Sequence, residues 1–325
     1  MRSASAVTAL AVMVLTAVPA AAFDCAKAST AVEKAICADP AAKRLDDELG
    51  AAFTAAKAKL APPQQKMLAQ SQKRWIARRE LCSQMEGDLT SCVKERTAER
   101  LALLSGEPLS GPGVTPAPVP EFLVQDGTQT QYDIDIAVLR VAAPATPGEQ
   151  TLNRIADEVL KAVTLGPHGG PEQSAIMARE DRFTMSYASP ALISVRQDFY
   201  ANEGGAHGNY GTLNHNIDMA SGRLITAADL LPEPSAAIMT LWCKSQIDAE
   251  KLKRVPDLDL AEGAAERDQA IAAAIRDLSR WSIGEQEIVV SFDPYVLGAY
   301  AEGTYQCRFP TAGVKQLANA GALLP

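Results

Sequence analysis

Cysteine placement limits the folds open to this chain more than any other feature of its sequence. Four cysteines crowd into the first third, and the other two lie far apart in the remainder. Their positions are Cys25, Cys37, Cys82, Cys92, Cys243 and Cys307. An even number of cysteines in an exported chain predicts disulfides in preference to a reactive thiolate. We therefore expect one bridge between Cys243 and Cys307, and two more among the first four cysteines.

Those first four cysteines permit three pairings, and the sequence leaves all three open. The local pairing, Cys25 with Cys37 and Cys82 with Cys92, is favoured because each pair brackets one turn or short helix. Few large apolar residues lie in this part of the chain, so its core is expected to be thin. Two bridges, at about 2–4 kcal/mol each, would then matter to its stability.

An export signal is predicted at residues 1–22. Arg2 precedes an apolar run from Ala6 to Val18, and small residues follow up to Ala22, after which cleavage is expected. The run is too short for a transmembrane span, and no later apolar stretch is long enough for one. The alternative is an uncleaved anchor. We predict a periplasmic or secreted protein with no membrane span after signal cleavage.

Charge is distributed unevenly between the two parts of the mature chain. Residues 23–104 contain 14 Lys and Arg against 11 Asp and Glu, whereas residues 105–325 contain 16 against 28. The acidic second part disfavours nucleic acid and anionic lipid as partners, and it would attract a cationic protein. The alternative is that the acidic residues keep an exported protein soluble.

Residues 23–104 show helical periodicity and are predicted to form a small helical domain. Pro40 and Pro62 each mark a break followed by a new helix, and a third helix starts near Leu89. One apolar stripe recurs every seven residues, at Leu68, Trp75 and Cys82.

Several short motifs in this region resemble the amino-terminal domain of LprI-type lysozyme inhibitors. They are Phe23-Asp-Cys-Ala-Lys-Ala28, Glu33-Lys-Ala-Ile-Cys37, Leu45-Asp46, Gln72, Arg74-Trp75, Arg78-Arg79, Cys82 and Cys92. Phe53 stands where that family more often has tyrosine. The resemblance implies binding and blocking of lysozyme. A disulfide-stapled adaptor without that activity is the alternative.

Residues 105–120 are predicted to be a linker, because they hold five prolines and three glycines without a periodic apolar pattern. Residues 121–325 mix helical and alternating patterns, which predicts an α+β domain with an antiparallel sheet. Strands are expected at 131–141, 182–188, 192–200, 287–292 and 303–309, and helices at 149–163, 227–231, 236–253 and 262–281.

A glycine-rich hairpin tip is the main candidate site in the second domain. The tip, Glu203-Gly-Gly-Ala-His-Gly-Asn-Tyr210, follows an alternating run and permits positive φ and close backbone approach. His207, Asn209 and Tyr210 are displayed there, either as a recognition edge or as a lock within the hairpin.

A second candidate segment is the turn Asp293-Pro-Tyr-Val-Leu-Gly-Ala-Tyr300. Its Pro294, Tyr295 and Tyr300 suit a protein interface, because tyrosine combines apolar area with a polar end. Packing of these tyrosines on their own sheet is the alternative.

The second region also resembles a known module. Ile193-Ser-Val, the Gly-Gly-Ala-His-Gly segment, Asn216-Ile-Asp218 and Phe292-Asp-Pro-Tyr295 are similar to the extracytoplasmic domain pair of the RsiV anti-sigma factor and PdaC-type envelope proteins, over about 121–317. In the anti-sigma factor this pair is a lysozyme receptor. The membrane helix, the sigma-binding part and the deacetylase domain of those proteins are not found here.

Chemical function has little support in the sequence. His207 and His215, with Glu203 and Asp218, make a metal site conceivable, but their spacing fixes no ligand geometry, so no metal and no cofactor are expected. No motif for a catalytic nucleophile or a metalloprotease is supported by its sequence context. Neighbouring carboxylates such as Asp46 and Asp47 could act on glycans, but their helical charge pattern indicates solvated surface positions.

We therefore predict an exported, non-catalytic binding protein that captures lysozyme or a similar cationic muramidase. The alternative is a structural or peptidoglycan-associated envelope module without an enzyme target.

Overall fold

The computed structural model describes residues 23–85, 87–166 and 176–325. The predicted signal peptide at residues 1–22 lies outside the described residues. The α-helices of the described residues are α1 (Ala31–Ala38), α2 (Pro40–Lys59), α3 (Pro62–Glu80), α4 (Leu89–Ser105), α5 (Gly127–Thr130), α6 (Pro147–Lys161), α7 (Ala227–Leu230), α8 (Glu233–Arg254), α9 (Ala264–Ile275) and α10 (Thr311–Leu317). The strands are β1 (Val119–Gln125), β2 (Tyr132–Arg140), β3 (Met177–Ala188), β4 (Leu192–Asn202), β5 (Asn209–Asp218), β6 (Trp281–Ile283), β7 (Glu287–Phe292) and β8 (Tyr305–Pro310).

Short 3₁₀ turns join some of these elements, at Cys25–Lys27, Leu81–Gln84, Leu278–Arg280 and Tyr300–Glu302. No helix of the described residues is both long enough and apolar enough to cross a membrane.

Proline and capping side chains set the helix starts in the first region. Asp39 ends α1 and caps α2, where its Oδ1 accepts bonds of 2.8 Å from the amides of Ala41 and Ala42. Pro40 occupies the first helical position, where its missing N–H costs nothing. Thr30 and Glu33 form a capping box at the start of α1. The helix boundaries predicted at the prolines are confirmed.

Two disulfides staple the helical region, and they have the local pairing that the sequence favoured. Cys25 is bonded to Cys37 and Cys82 to Cys92. Next to the second bridge lies a small buried cluster that includes Val32, Ile36 and Val93. This cluster is small, and other buried apolar side chains of the helices, such as Leu49 and Leu104, belong to a larger cluster shared with the sheet.

A five-stranded sheet in the order β1-β2-β3-β4-β5 forms the centre of the molecule. β1 with β2, β3 with β4, and β4 with β5 are antiparallel, whereas β2 and β3 are parallel. Parallel neighbours need a long crossover, and the connection between β2 and β3 contains α6. The sequence patterns led us to expect antiparallel strands and did not reveal this parallel pair.

The helical region packs directly against this sheet. Leu68, Trp75 and Leu103 of the helices share one buried cluster with Phe122 and Ile136 of β1 and β2. Segment 107–118 also lies on the sheet, where Leu109 N donates to Met185 O at 2.8 Å. β1 starts at Val119, within the segment predicted as linker. The division into domains stays a proposal.

The second unit is a three-stranded antiparallel sheet, β6-β7-β8, with α8 and α9 beside it. The Cys243–Cys307 disulfide joins α8 to β8, as expected. The helix predicted at 262–281 ends at Ile275, and Trp281 begins β6. Asp277 caps the turn Leu278–Arg280 and diverts the chain from the helix into the strand. Helices and mainly antiparallel strands together confirm the α+β class.

Candidate functional site

The β4–β5 hairpin carries its glycine-rich tip at residues 203–208. Gly204 has a φ of 88°, and its amide donates to Asn202 Oδ1 at 3.0 Å, so the chain turns there. A Cβ on Gly208 would lie 2.4 Å from the ring of Tyr200. The tip can therefore fold onto Tyr200 because residue 208 has no side chain.

His207 joins the hairpin tip to the loop between β7 and β8. Its ring stacks on that of Tyr300 with centroids 3.8 Å apart, and its Nε2 lies 3.1 Å from the hydroxyl of Tyr295. Tyr210 meets Tyr300 edge to face at 5.8 Å, and the rings of Tyr295 and Tyr300 are 5.5 Å apart. We call Tyr200, His207, Tyr210, Tyr295 and Tyr300 the aromatic cluster.

Hydrogen bonds fix the tautomer of His207 in this arrangement. Its Nδ1 lies 3.1 Å from the carbonyl oxygen of Gly208, which can act only as an acceptor. The Nδ1–H must therefore donate, which leaves Nε2 of the neutral ring to accept from the Tyr295 hydroxyl. Gly208 O also accepts from the Tyr300 hydroxyl at 2.7 Å. One backbone carbonyl of the tip thus holds two side chains of the aromatic cluster.

Asp293 anchors the start of the β7–β8 loop to the hairpin. Its Oδ1 accepts from the amide of Thr212 at 2.9 Å, and its Oδ2 pairs with Arg280 at 2.5 Å. A Cβ on Gly211 would lie 2.5 Å from the Asp293 carboxyl carbon. Glycine at 211 therefore lets the loop approach β5 closely.

Glu302 anchors the other end of the same loop. Its carboxylate accepts from Lys251 at 2.8 Å and from the Tyr305 hydroxyl at 2.6 Å, and it also accepts from the amide of Ala299. Burial acts to raise the pKa of Glu302, but the hydrogen bonds from Lys251 and Tyr305 outweigh it and lower the pKa to about 2. The loop that presents Tyr295 and Tyr300 is thus held at both ends.

Tyr295 is the most exposed of the large apolar and aromatic side chains in this loop. It is 61% exposed and has a φ of 72°, a backbone conformation that residues with side chains rarely adopt. Strained backbone that displays a large side chain to solvent is found more often at functional sites than elsewhere.

The structure brings four of the six residues predicted for partner binding into contact. They are His207, Tyr210, Tyr295 and Tyr300. Asn209 is exposed at the start of β5, and Pro294 is half-buried directly before Tyr295. Their binding role stays a prediction. Sequence reasoning missed Tyr200, which is the cross-strand partner of Tyr210, although the alternating run before the tip contained that signal.

Three residues considered above for metal binding or catalysis, His215, Asp46 and Asp47, are engaged in structural contacts. Among the described residues, no group of three His, Cys, Asp or Glu side chains is placed to hold a metal ion. His215 lies within β5, where its Nε2 is 3.0 Å from Gln197 Oε1, and burial lowers its pKa to about 4. Asp46 pairs with Arg79 at 2.7 Å, and Asp47 pairs with Lys43.

Comparison with known proteins gives one family match, which covers the helical region. Residues 25–104 match the family model described as "Lysozyme inhibitor LprI". The matched LprI-like region contains both local disulfides and the helices that pack on the five-stranded sheet. None of the curated proteins matches the chain.

Two solved structures of the DUF3298 family resemble the fold in part. The protein from Bacteroides fragilis is 16% identical, with a TM-score of 0.39, over 62% of this chain and 91% of its own. The protein from Pseudomonas aeruginosa is 14% identical, with a TM-score of 0.41, over 64% of this chain and 94% of its own. At these values the likeness says nothing about function, and the resemblance to RsiV and PdaC stays a prediction.

Proposed function

We propose that the chain is a non-catalytic binding protein that acts outside the cytoplasm, in the periplasm or as a secreted protein, and inhibits lysozyme or a similar cationic muramidase. The match of residues 25–104 to the LprI model supports a lysozyme-inhibitor role in general. Three disulfides are consistent with an extracytoplasmic location, since such bonds persist in oxidising compartments.

The aromatic cluster carries our proposal for the contact surface. Interface hot spots are enriched in tyrosine, because its ring buries a large apolar area with few rotatable bonds and its hydroxyl finds a partner. Tyr295 stands 61% exposed on a loop anchored at both ends, so little ordering is required of it on binding. We expect His207, Asn209 and Tyr210 to form the adjoining edge of the contact.

Charge adds a reason for a cationic partner. Residues 105–325, which include the aromatic cluster, contain 28 Asp and Glu against 16 Lys and Arg. An acidic surface of this kind accelerates encounter with a basic protein, and salt screens the attraction over about 10 Å at 0.1 M. Binding should therefore slow and weaken as the salt concentration rises.

The proposed mechanism is steric occlusion of the muramidase cleft. The hairpin tip and the tyrosine-bearing loop contact each other, because His207 bonds to Tyr295 and the carbonyl of Gly208 accepts from Tyr300. Seated in the cleft, they would exclude the glycan without chemical change to either protein. The LprI-like region would supply a second contact, or hold the sheet that presents the cluster.

The test is calorimetric titration of residues 23–325 with hen egg-white lysozyme at low salt. Replacing Tyr295 by alanine should weaken binding by about thirtyfold, the effect of an interface hot spot of about 2 kcal/mol. Leu241→Ala is the matched control, because Leu241 is 69% exposed on α8 and belongs to another surface. Both variants should melt at the wild-type temperature.

A cell-wall lysis assay distinguishes inhibition from mere binding. Slower lysis with wild type, and less slowing with Tyr295→Ala, would support the proposal. If lysozyme neither binds at low salt nor slows, the inhibitor function is wrong. Sedimentation of the protein with purified peptidoglycan would then favour a structural envelope module.

A further inference from the structure

A cleft of about 180 Å³ lies where the helical region meets the five-stranded sheet. The apolar part of its lining comes from both sides of this contact. It consists of Trp75, Leu81, Met85, Leu103 and Phe183. Leu81 and Met85 are about half exposed, at 49% and 55%, whereas Trp75 and Phe183 are buried. The cleft is thus open to solvent on one side and has an apolar interior.

Arginines form the charged part of the same lining, and most of them have a carboxylate partner. The pairs are Arg78 with Asp135 at 2.5 Å, Arg79 with Asp46 at 2.7 Å, Arg96 with Glu99 at 3.6 Å, and Arg182 with Glu180 at 3.0 Å. Asp198 also lines the cleft and is paired with Arg196 at 3.0 Å. These pairs balance one another in charge.

Arg100 is the exception among the arginines of the cleft. It is 2% exposed, and within the described residues its partners are neutral: Gln72 Oε1 at 2.9 Å and Ser71 Oγ at 3.4 Å. Burial lowers the pKa of Arg100, attraction from Asp135 opposes this, and repulsion from Arg78 and Arg182 adds to it. A buried guanidinium without a carboxylate partner is costly, because its charge has lost water without gaining an opposite charge.

Three polar atoms near Arg100 also lack a partner. The Nε atoms of Arg78 and Arg79 and the Oδ1 of Asp135 are buried and have no hydrogen-bond partner among the described residues. Buried polar groups in native proteins are nearly always satisfied, so these atoms indicate that a water or a ligand completes their bonding.

We propose that this cleft binds a small organic monoanion, with a carboxylate paired to Arg100 and an apolar stem between Leu81, Met85 and Phe183. One negative charge would balance Arg100, whereas a dianion would exceed that balance. A dry cavity of about 150 Å³ accommodates benzene, so the stem is expected to hold roughly six to ten carbon atoms. The carboxylate belongs either to a free acid or to the last residue of a peptide. This site shares no residue with the aromatic cluster.

Phenylacetate is the probe for a calorimetric titration of residues 23–325 at low salt. Its controls are 2-phenylethanol, which keeps the stem without the charge, and acetate, which keeps the charge without the stem. Phenylacetate should bind at least about tenfold more tightly than either control, since hydrogen bonds to charged groups contribute about 1.5–3 kcal/mol. A peptide with carboxyl-terminal phenylalanine and the same peptide as its amide then identify the source of the carboxylate.

Variants locate the bound probe. Arg100→Gln should abolish phenylacetate binding, but it also removes the bonds of Arg100 to Gln72 and Ser71 within the fold. Met85 lies at the exposed mouth and avoids that problem. Met85→Glu should weaken phenylacetate binding by about tenfold through repulsion, and Met85→Gln should leave it nearly unchanged, with both variants as stable as wild type.

Three results would overturn the proposal. They are an absence of phenylacetate binding to the folded protein, equal affinity for 2-phenylethanol, and equal affinity of the Met85→Glu and Met85→Gln variants for phenylacetate.

Discussion

Two different interfaces cover the same face of the five-stranded sheet. The register places Asp135, Glu180 and Arg196 on the face that also carries Ser194 and Asn216. Helices α3 and α4 cover one part of this face and contact it through ion pairs, such as Arg78 with Asp135 and Arg196 with Glu99. Over another part, the three-stranded unit contacts it mainly through neutral groups, besides the bond from Thr212 N to Asp293 Oδ1.

The neutral interface is built from amides and a hydroxyl. Asn216 Nδ2 donates to the carbonyls of Leu278 and Trp281, both at 2.9 Å, and Ile283 N donates to Ser194 Oγ at 3.1 Å. Trp281 is fully buried beside them. The charged interface, in contrast, contains the cleft with Arg100. Buried charged groups need a partner or water. A charged interface that leaves one group without an opposite charge therefore offers a place where a charged ligand can bind.

The largest expected effect is on the neutral interface. Trp281→Ala should lower the free energy of unfolding by about 3–5 kcal/mol, because it removes a fully buried indole. The indole N–H bond to Ala274 O, at 3.1 Å, is lost as well. Urea unfolding measures the change.

Trp242 provides the matched control for this prediction. It lies on α8 of the same unit and is 38% exposed, so Trp242→Ala should cost about 1 kcal/mol. Equal losses for the two variants would contradict the view that Trp281 closes this interface.

The next largest effect is expected at the charged interface. Asp135 is 1% exposed. Asp135→Asn should lower the free energy of unfolding by about 2–3 kcal/mol, because Arg78 loses its shortest ion pair and keeps only the one with Glu180. Asp133, which pairs with Arg74 nearer the surface, is the control, and its replacement by asparagine should cost about 1 kcal/mol or less. Chemical unfolding in low and high salt measures both.

Glu302, which holds the loop of Tyr295 and Tyr300, is expected to contribute about 2 kcal/mol to the free energy of unfolding in a pH-dependent way. Its pKa falls from 4.5 to about 2 on folding. A lowered pKa stabilises the folded state above pH 4.5, and this contribution disappears as the pH falls through about 2. Glu302→Gln should therefore be less stable than wild type at pH 7, and the difference should shrink below pH 4.5. A difference that does not change with pH would rule out this role.

The smallest effects concern the two sheet edges, each of which is capped by one helix glutamine. Gln64 accepts from Phe122 N and donates to Phe122 O on β1, both at 2.9 Å. Gln246 does the same at Arg308 on β8, with distances of 2.9 and 3.0 Å. Gln64→Ala should lower the free energy of unfolding by about 1 kcal/mol. Gln246→Ala should lower it by about half as much, because the bonds of Gln246 are exposed to solvent. Urea unfolding of the two variants side by side measures this difference, and equal losses would show that burial does not cause it.

Sequence patterns revealed the two segments of the candidate site but not the contact between them. The glycine-rich tip and the tyrosine turn were each visible as a local motif, but nothing local indicated that His207 would stack on Tyr300. Trp281 was assigned to a helix, since helical and strand periodicities are hard to separate next to a short turn. Nothing in the sequence indicated that Arg100 would be buried, because a single arginine in a helix usually faces solvent.

The sequence by itself determined the features that depend on a few neighbouring residues. Helix starts at Pro40 and Pro62 and the β4–β5 hairpin follow from fixed φ, a short loop and alternating side chains. The sequence favoured the local disulfides but left the other two pairings open. The tertiary structure alone decided the parallel pairing of β2 with β3, the packing of the helices on the sheet, and the isolation of Arg100. These features depend on contacts between residues far apart in the chain, whose energies no local pattern contains.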